Sequence, residues 1–332
     1  MIINDKSVVP PWLSELEATL AAAVDRGRFA HAVLIHGAQG SGRKRLVTSL
    51  AARLLNMTGA GLADPRAVTE DELLRHPDFL SVQPEPDKQS ISVEQIRVVI
   101  KFLHLTSHQS GAKLVSLDPA DAMTANAANS LLKTLEEPPA GSVIFLVAEV
   151  LSRLPPTIIS RCQRVRVPVA PPEIALPWLQ QIDTDPDWDS ILELAGGAPF
   201  LALEMHQTGL TDRAGEFDRD LEALIGRREN AVSVARRWVG GGYAFSLRWL
   251  YWKVAVRIRQ QLADRAGSVQ QPDSRSMHLQ TSADAPNMES CFGYLRAVGE
   301  LRRRQTTSIN AEMNLARLLM AWYGGFHGLG DE

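Results

Sequence analysis

AHAVLIHGAQGSGRKRLVTSLAARLLN, residues 30–56, decides the fold. It opens as a short apolar strand, AHAVLIHG, runs into glycine, and continues as a segment of helical spacing, RKRLVTSLAARLLN. Strand, glycine loop and helix in that order begin a phosphate-binding α/β unit. Gly37-Ala38-Gln39-Gly40-Ser41-Gly42-Arg43-Lys44 stands where a Walker A loop, G-x-x-x-x-G-K-[ST], would stand. Its glycines let backbone N–H groups turn toward phosphate at a helix N-terminus. The groups beyond the glycines are missing. Arg43 occupies the place of the lysine that reaches the phosphates, and Lys44 that of the Mg²⁺-ligating hydroxyl. A charged ammonium cannot ligate a metal ion and repels it at short range. Sliding the register to make Lys44 the Walker lysine breaks the spacing from Gly37 to Gly42 and puts Arg45 at the hydroxyl position. The plainer reading, a strand-to-helix turn that needs glycine, therefore outweighs a catalytic one.

Outward from this stretch, strands and helices alternate. Residues 12–27 show helical spacing of Leu13, Leu16 and Leu20; HPDFLSVQP, AKLVSLD and SVIFLVAE read as further strands. Ser92 and Gln95 form a capping box for the helix VEQIRVVIKFLHL, and TANAANSLLKTLEE is the next helix. The continuous apolar run of SVIFLVAE suits a parallel sheet covered on both faces. This pattern predicts a doubly wound α/β module over residues 1–168. VPVAPPE then punctuates the chain and only helical patterns follow, as a small unit over 169–210 and a larger all-α region over 211–332, interrupted by the polar stretch 267–287. Residues 57–72 read as a connector.

A Walker B element requires a buried strand ending in aspartate, with a glutamate beside it to orient the attacking water. Leu114 to Asp118 supplies the aspartate, but Pro119 follows, and proline can neither polarise water nor accept a proton. No cofactor is expected, and no intrinsic ATPase activity.

Composition narrows the classes. The chain has 332 residues, 45% hydrophobic and 22% charged, with net charge -3, which argues against wholesale coating of nucleic acid. Its start, MIINDKSVVPPWL, lacks a basic n-region, and no apolar run approaches the ~18 residues of a membrane span. A cytoplasmic protein with no membrane partner is expected. Cys162 and Cys291 are too few for a disulfide framework or a cysteine zinc site. His104 and His108 share i, i+4 spacing but bring no partner ligand in sequence, so no metal is expected there. Between Arg227 and Arg265 nine basic residues face only Glu229 and Asp264, interleaved with Trp238, Tyr243, Phe245, Trp249, Tyr251 and Trp252. That composition suggests a nucleic-acid surface, but helical spacing of the aromatics favours a helical core with a solvated basic face.

NAANSLLKTLEEPP at 126–139, together with Leu154-Pro155-Pro156-Thr157-Ile158-Ile159-Ser160-Arg161-Cys162, resembles bacterial DNA polymerase III clamp-loader subunits of the gamma and delta-prime type. HPDF at 76–79, SISVEQIR at 90–97 and TSINAEMNLARLLM near the C-terminus resemble the same family, so the likeness runs along nearly the whole chain and is weakest over about 211–300. Degenerate Walker motifs beside an intact Ser160-Arg161-Cys162 motif look like the non-hydrolysing delta-prime type. The resemblance implies a RecA-like AAA+ module, a helical lid and an all-α collar. It also implies gamma/tau and delta partners in a pentameric ring that brings a sliding clamp to primer-template DNA, as part of the DNA-directed DNA polymerase III holoenzyme. In this family the arginine matching Arg161 reaches across a subunit interface into a neighbour's ATP site, where a permanently charged planar guanidinium stabilises the transferring phosphoryl group. Cys162, as part of that motif, reads as a small buried packing residue.

Two departures from the family pattern stand out. Many members carry four zinc-binding cysteines between the P-loop helix and the HPD segment, where this chain has MTGAGLADPRAVTEDELLR and no cysteine. Glu149 and Val150 follow the fourth strand, where a threonine or asparagine is usual. Two rival functions remain open at this point: an active, gamma-like P-loop ATPase using Lys44, and a stand-alone DNA-binding protein using the 227–265 basic region.

Overall fold

The structure is a computed structural model that describes residues 9–57, 64–86, 88–108, 111–268, 288–303, 308–324 and 326. The polar stretch 267–287 lies almost wholly outside these residues, and so does the centre of the cysteine-free segment, 58–63.

The chain divides into two compact units, Met1–Glu204 and Met205–Glu332. The first begins with α1 (Ser14–Asp25), β1 (Ala32–His36), α2 (Arg43–Leu54), α3 (Glu70–Leu74) and β2 (Phe79–Val82). It continues through α4 (Val93–Leu103), β3 (Lys113–Leu117), α5 (Ala125–Glu136), β4 (Ser142–Ala148), α6 (Pro156–Ile159) and β5 (Gln163–Arg166). After the proline-rich turn come α7 (Pro172–Ile182), α8 (Trp188–Leu194) and α9 (Pro199–Gln207), the last of which runs into the second unit.

The five strands form one parallel sheet in the order β2-β3-β4-β1-β5. Every residue of the central strand β4 is buried, as the apolar run SVIFLVA requires of a strand with helices on both faces. The strand β5 was not expected from the sequence. In Gln163-Arg164-Val165-Arg166 only Val165 is buried, because β5 pairs on one side alone and its charged neighbours stand in solvent, a common way to keep a sheet edge from recruiting another strand. Under one face, Ile96, Leu131, Leu135, Ile144, Leu146 and Ile158 belong to a single apolar cluster that fixes α4, α5 and α6.

The helix starts are set by local chemistry. Ser92 N donates to Gln95 Oε1 at 3.0 Å and Gln95 N to Ser92 Oγ at 3.3 Å, closing the expected capping box of α4. Thr69 and Glu72 close a second box at α3, inside the stretch read as a connector.

Among the described residues the second unit is helical: α10 (Asp212–Ile225), α11 (Ala231–Gly240), α12 (Tyr243–Ser268), α13 (Met288–Arg303) and α14 (Ser308–Tyr323). Its core is aromatic. Phe217 stacks on Trp238 at 3.9 Å between ring centroids, and Trp249 meets both rings edge-on. No helix among the described residues is long and apolar enough to cross a membrane.

Candidate functional site: a closed P-loop and an arginine at the other end of the sheet

The loop from Gly37 to Gly42 joins β1 to α2, as its sequence predicts. Gly40 at φ +74° and Gly42 at φ +106° occupy the left-handed region where side chains are strained, so the glycines are needed for the turn itself. The protein's own chain covers the loop. Phe200 N donates to Gly40 O at 3.0 Å, and Trp12 Nε1 donates to Ser41 O at 2.9 Å. Trp12, Trp178 and Phe200 pack ring against ring over this surface, with Trp178 5.1 Å from Trp12 and 5.2 Å from Phe200. A methyl group built on Gly40 would lie 2.4 Å from Leu201 Cβ, and one on Gly42 would lie 2.7 Å from Leu13 Cδ1. Side chains of the same chain thus fill the space beside the two loop glycines.

The metal position is taken as well. Lys44 Nζ lies 3.5 Å from Asp118 Oδ2, so an ammonium stands against the carboxylate that would face Mg²⁺ in an ATPase. Burial pushes the Asp118 carboxyl above the usual carboxylate range, and the positive charges of Lys44 and Arg43 oppose that shift without cancelling it. Pro119 follows Asp118 through a cis peptide bond. Arg45 points elsewhere, donating to Val68 O at 2.7 Å and to Arg66 O, so the slid Walker register is not served by its side chain. At the end of β4, Asp121 accepts from Glu149 N at 3.1 Å and Val150 N at 3.3 Å, which commits this turn to backbone contacts. The residues present do not fit Mg-ATP: Arg43 and Lys44 stand in place of the phosphate-reaching lysine and the metal-ligating hydroxyl, an ammonium stands against Asp118, and no water-orienting carboxylate follows it.

Ser160, Arg161 and Cys162 lie between α6 and β5. Because β1 and β5 run parallel with Val33 opposite Gln163 and His36 opposite Arg166, the Ser-Arg-Cys turn precedes β5 while the P-loop follows β1. The two motifs therefore sit at opposite ends of the strands. From Val33 to Gly37 alone the rise is roughly 13 Å. Arg161 makes no hydrogen bond to the P-loop or to Asp118. Its Nε donates to Glu136 Oε1 at 2.7 Å, its Nη2 donates to the same oxygen, and its Nη1 donates to Thr157 O at 2.9 Å. Cys162 is partly buried and packs against the apolar cluster; burial pushes its thiol up to about 11, which suits packing rather than nucleophilic chemistry.

Asp78 is met by two histidines, by His76 through its ring and by His108 through its backbone. His76 Nδ1 accepts from Asp78 N at 3.1 Å, and His108 N donates to Asp78 Oδ1 at 2.8 Å. Asp78 itself forms a buried ion pair with Lys113 Nζ at 2.9 Å, an arrangement that sequence reading missed because Asp78, just before β2, and Lys113, at the start of β3, lie far apart in the chain. No group of three or more potential metal ligands occurs among the described residues. In the basic region Trp238, Phe245 and Trp249 are buried, whereas Arg237 pairs with Asp220 at 2.6 Å, Lys253 with Asp218 at 2.5 Å and Arg236 with Glu312 at 3.4 Å. These cations are matched by carboxylates of the same unit, which favours a helical core with a solvated face over a nucleic-acid groove.

A family profile described as "DNA polymerase III, delta subunit" matches residues 12–170. The chain is 29% identical over 321 residues to the DNA polymerase III subunit delta-prime of Pseudomonas aeruginosa, covering 94% of this chain and 96% of that protein. It is 30% identical over 274 residues to the subunit of the same name from Haemophilus influenzae, covering 79% and 83%. The fold is also that of a DNA polymerase III gamma subunit-related protein from Thermotoga maritima, with TM-score 0.51 and 17% identity over 94% of this chain and 99% of that one.

Proposed function

Because the chain belongs to the family of delta-prime and gamma subunits of the bacterial DNA polymerase III clamp loader, we propose that it is a delta-prime-type organiser that completes a neighbouring subunit's ATP site without turning over ATP itself. One observation carries this reading. The chain's P-loop is closed by its own side chains, while the motif arginine lies at the far end of the same sheet, beyond reach of that P-loop. An arginine so placed cannot serve its own P-loop and, one third exposed, is open to another molecule. In this reading Arg161 enters the ATP site of an adjacent gamma or tau subunit and stabilises the charge that develops on the transferring phosphoryl group. Ser160 and Cys162 shape its turn. Residues 1–168 are the AAA+ module, 169–210 the lid and 211–332 the collar through which five subunits, delta among them, form a ring that places a sliding clamp on primer-template DNA in the cytoplasm.

The gamma-like ATPase reading is disfavoured by Lys44 on Asp118 and by the side chains against the loop glycines. The stand-alone DNA-binding reading is disfavoured by the paired cations of the second unit. The test uses this chain mixed with gamma and delta subunits. Arg161→Ala is expected to leave ring formation by gel filtration intact and to lower DNA-stimulated ATP hydrolysis at the neighbouring gamma subunit's site by about 10³-fold. Assembly with hydrolysis and clamp loading at the wild-type rate would remove Arg161 from the neighbour's site.

A further inference from the structure

Arg161 is oriented by a residue that neither the Ser-Arg-Cys motif nor the P-loop contains. Glu136, the last residue of α5, holds one edge of the guanidinium: Nε donates to its Oε1 at 2.7 Å and Nη2 to the same atom. The opposite side is held by Thr157 O, 2.9 Å from Nη1, with a longer 3.4 Å contact from Nη1 to Ser160 Oγ. A guanidinium carries five N–H donors in a fixed plane. With the Nε edge committed to Glu136, the outer N–H of Nη2 stays available, and the long contact to Ser160 is one a stronger acceptor can replace. The arrangement therefore fixes the plane of the group and leaves donors at its tip.

The anchor is firm although the pair is not buried. Arg161 and Glu136 side chains are 34% and 49% exposed, so water screens the ion pair and it adds little to folding. The backbones that carry them are held by Leu131 and Leu135 of α5 and Ile158 of α6, all fully or nearly fully buried in one cluster. Glu137 caps the helix and Pro138 and Pro139 after it prevent its continuation, so Glu136 stands at a fixed stop. A screened pair between rigidly packed supports is poorly suited to stabilising the fold and well suited to setting a direction.

We propose that Glu136 is a positioning residue for Arg161, holding the guanidinium so that its outer donors face the triphosphate of a neighbouring subunit's ATP. This rests on the reading of Arg161 as a group that acts across the interface. A misdirected guanidinium still carries its charge to the interface, so the loss falls on the transition state, where alignment matters, more than on nucleotide affinity.

The experiment compares the wild-type chain with Glu136→Gln, Glu136→Asp, Arg161→Ala and the Glu136→Gln/Arg161→Ala double variant, each assembled with gamma and delta subunits. Ring formation is followed by gel filtration, and kcat and KM for ATP are measured on primed DNA. Glu136→Gln is expected to lower kcat about tenfold with KM nearly unchanged and rings intact. Glu136→Asp should recover part of that loss, and the double variant should match Arg161→Ala. Wild-type kcat in Glu136→Gln, with Arg161→Ala impaired, would overturn the positioning role and leave the trans-acting arginine standing. The same would follow if Glu136→Gln raised the rate, or lowered it equally in the Arg161→Ala background. Wild-type kcat in Arg161→Ala would bring down both readings together.

Discussion

The two ends of the sheet in the first unit have been put to opposite use. At the end where β1 runs out, the loop is tied to its own chain: Gly40 O accepts from Phe200 N, Lys44 pairs with Asp118, and the loop glycines abut Leu13 and Leu201. At the end where β5 begins, a permanently charged side chain stays partly exposed and is steered by two fixed acceptors. The loop without the groups of a catalytic site is nonetheless tightly packed, by Trp12, Trp178 and Phe200, while the turn that carries Arg161 faces outward.

The largest effect that sharpens this contrast is expected from Arg161→Lys in the assembled complex. Lysine keeps the charge but lacks the planar fork, so hydrolysis by the neighbour should fall by about 10²-fold or more, and a rate near wild type would mean that charge alone suffices. The closed end is tested next by Trp12→Ala. Removing a nearly buried indole that packs on Trp178 and donates to Ser41 O should destabilise the first unit by about 3 kcal/mol, read as a lower thermal midpoint by circular dichroism. If the midpoint stays put, the aromatic cover is not what holds the loop.

Asp118→Asn probes the same end more gently, through pH. The carboxyl of Asp118 is raised in the fold, chiefly by burial, so its ionisation costs stability as pH climbs from the ordinary carboxylate range through the folded value. The asparagine variant should match wild type at acid pH below the ordinary carboxylate range and be the more stable of the two at neutral pH. Urea titrations at both pH values decide it, and a variant weakened at neutral pH would mean that the Lys44 contact outweighs burial. The smallest effect concerns turnover. Arg43→Lys, Lys44→Thr and Pro119→Glu together restore the missing chemistry but leave Leu13, Phe200 and Leu201 against the loop, so isolated protein should still show no ATP hydrolysis in a coupled assay. Measurable turnover would show that packing is not the barrier.

Strands β1, β3 and β4 were legible because strands buried along most of their length are rich in apolar residues, and α4 because Ser92 and Gln95 mark its start. Strand β5 was not, since an edge strand buries one residue and its sequence, Gln-Arg-Val-Arg, carries no such run. The short helix α3 hid in a polar connector although Thr69 and Glu72 spelled the same cap as Ser92 and Gln95. The degenerate P-loop was legible as a set of missing groups, but what replaced them was not. Lys44 and Asp118 are joined by the return of β3 beside the loop, and Phe200 reaches Gly40 from beyond the sheet altogether; neither contact has a local signature. Glu136 was passed over for the same reason: although it lies in the string NAANSLLKTLEEPP, its partner Arg161 sits in the turn between α6 and β5 and no local signature joins the two.

The contact between Lys44 and Asp118 gives the turn after β3 a counter-ion that the chain carries itself. An ammonium tethered by its own backbone is present at a fixed ratio of one to one, whatever the concentration of free cations around it. In the proposed organiser role, such a subunit would keep one shape while its neighbours turn over nucleotide.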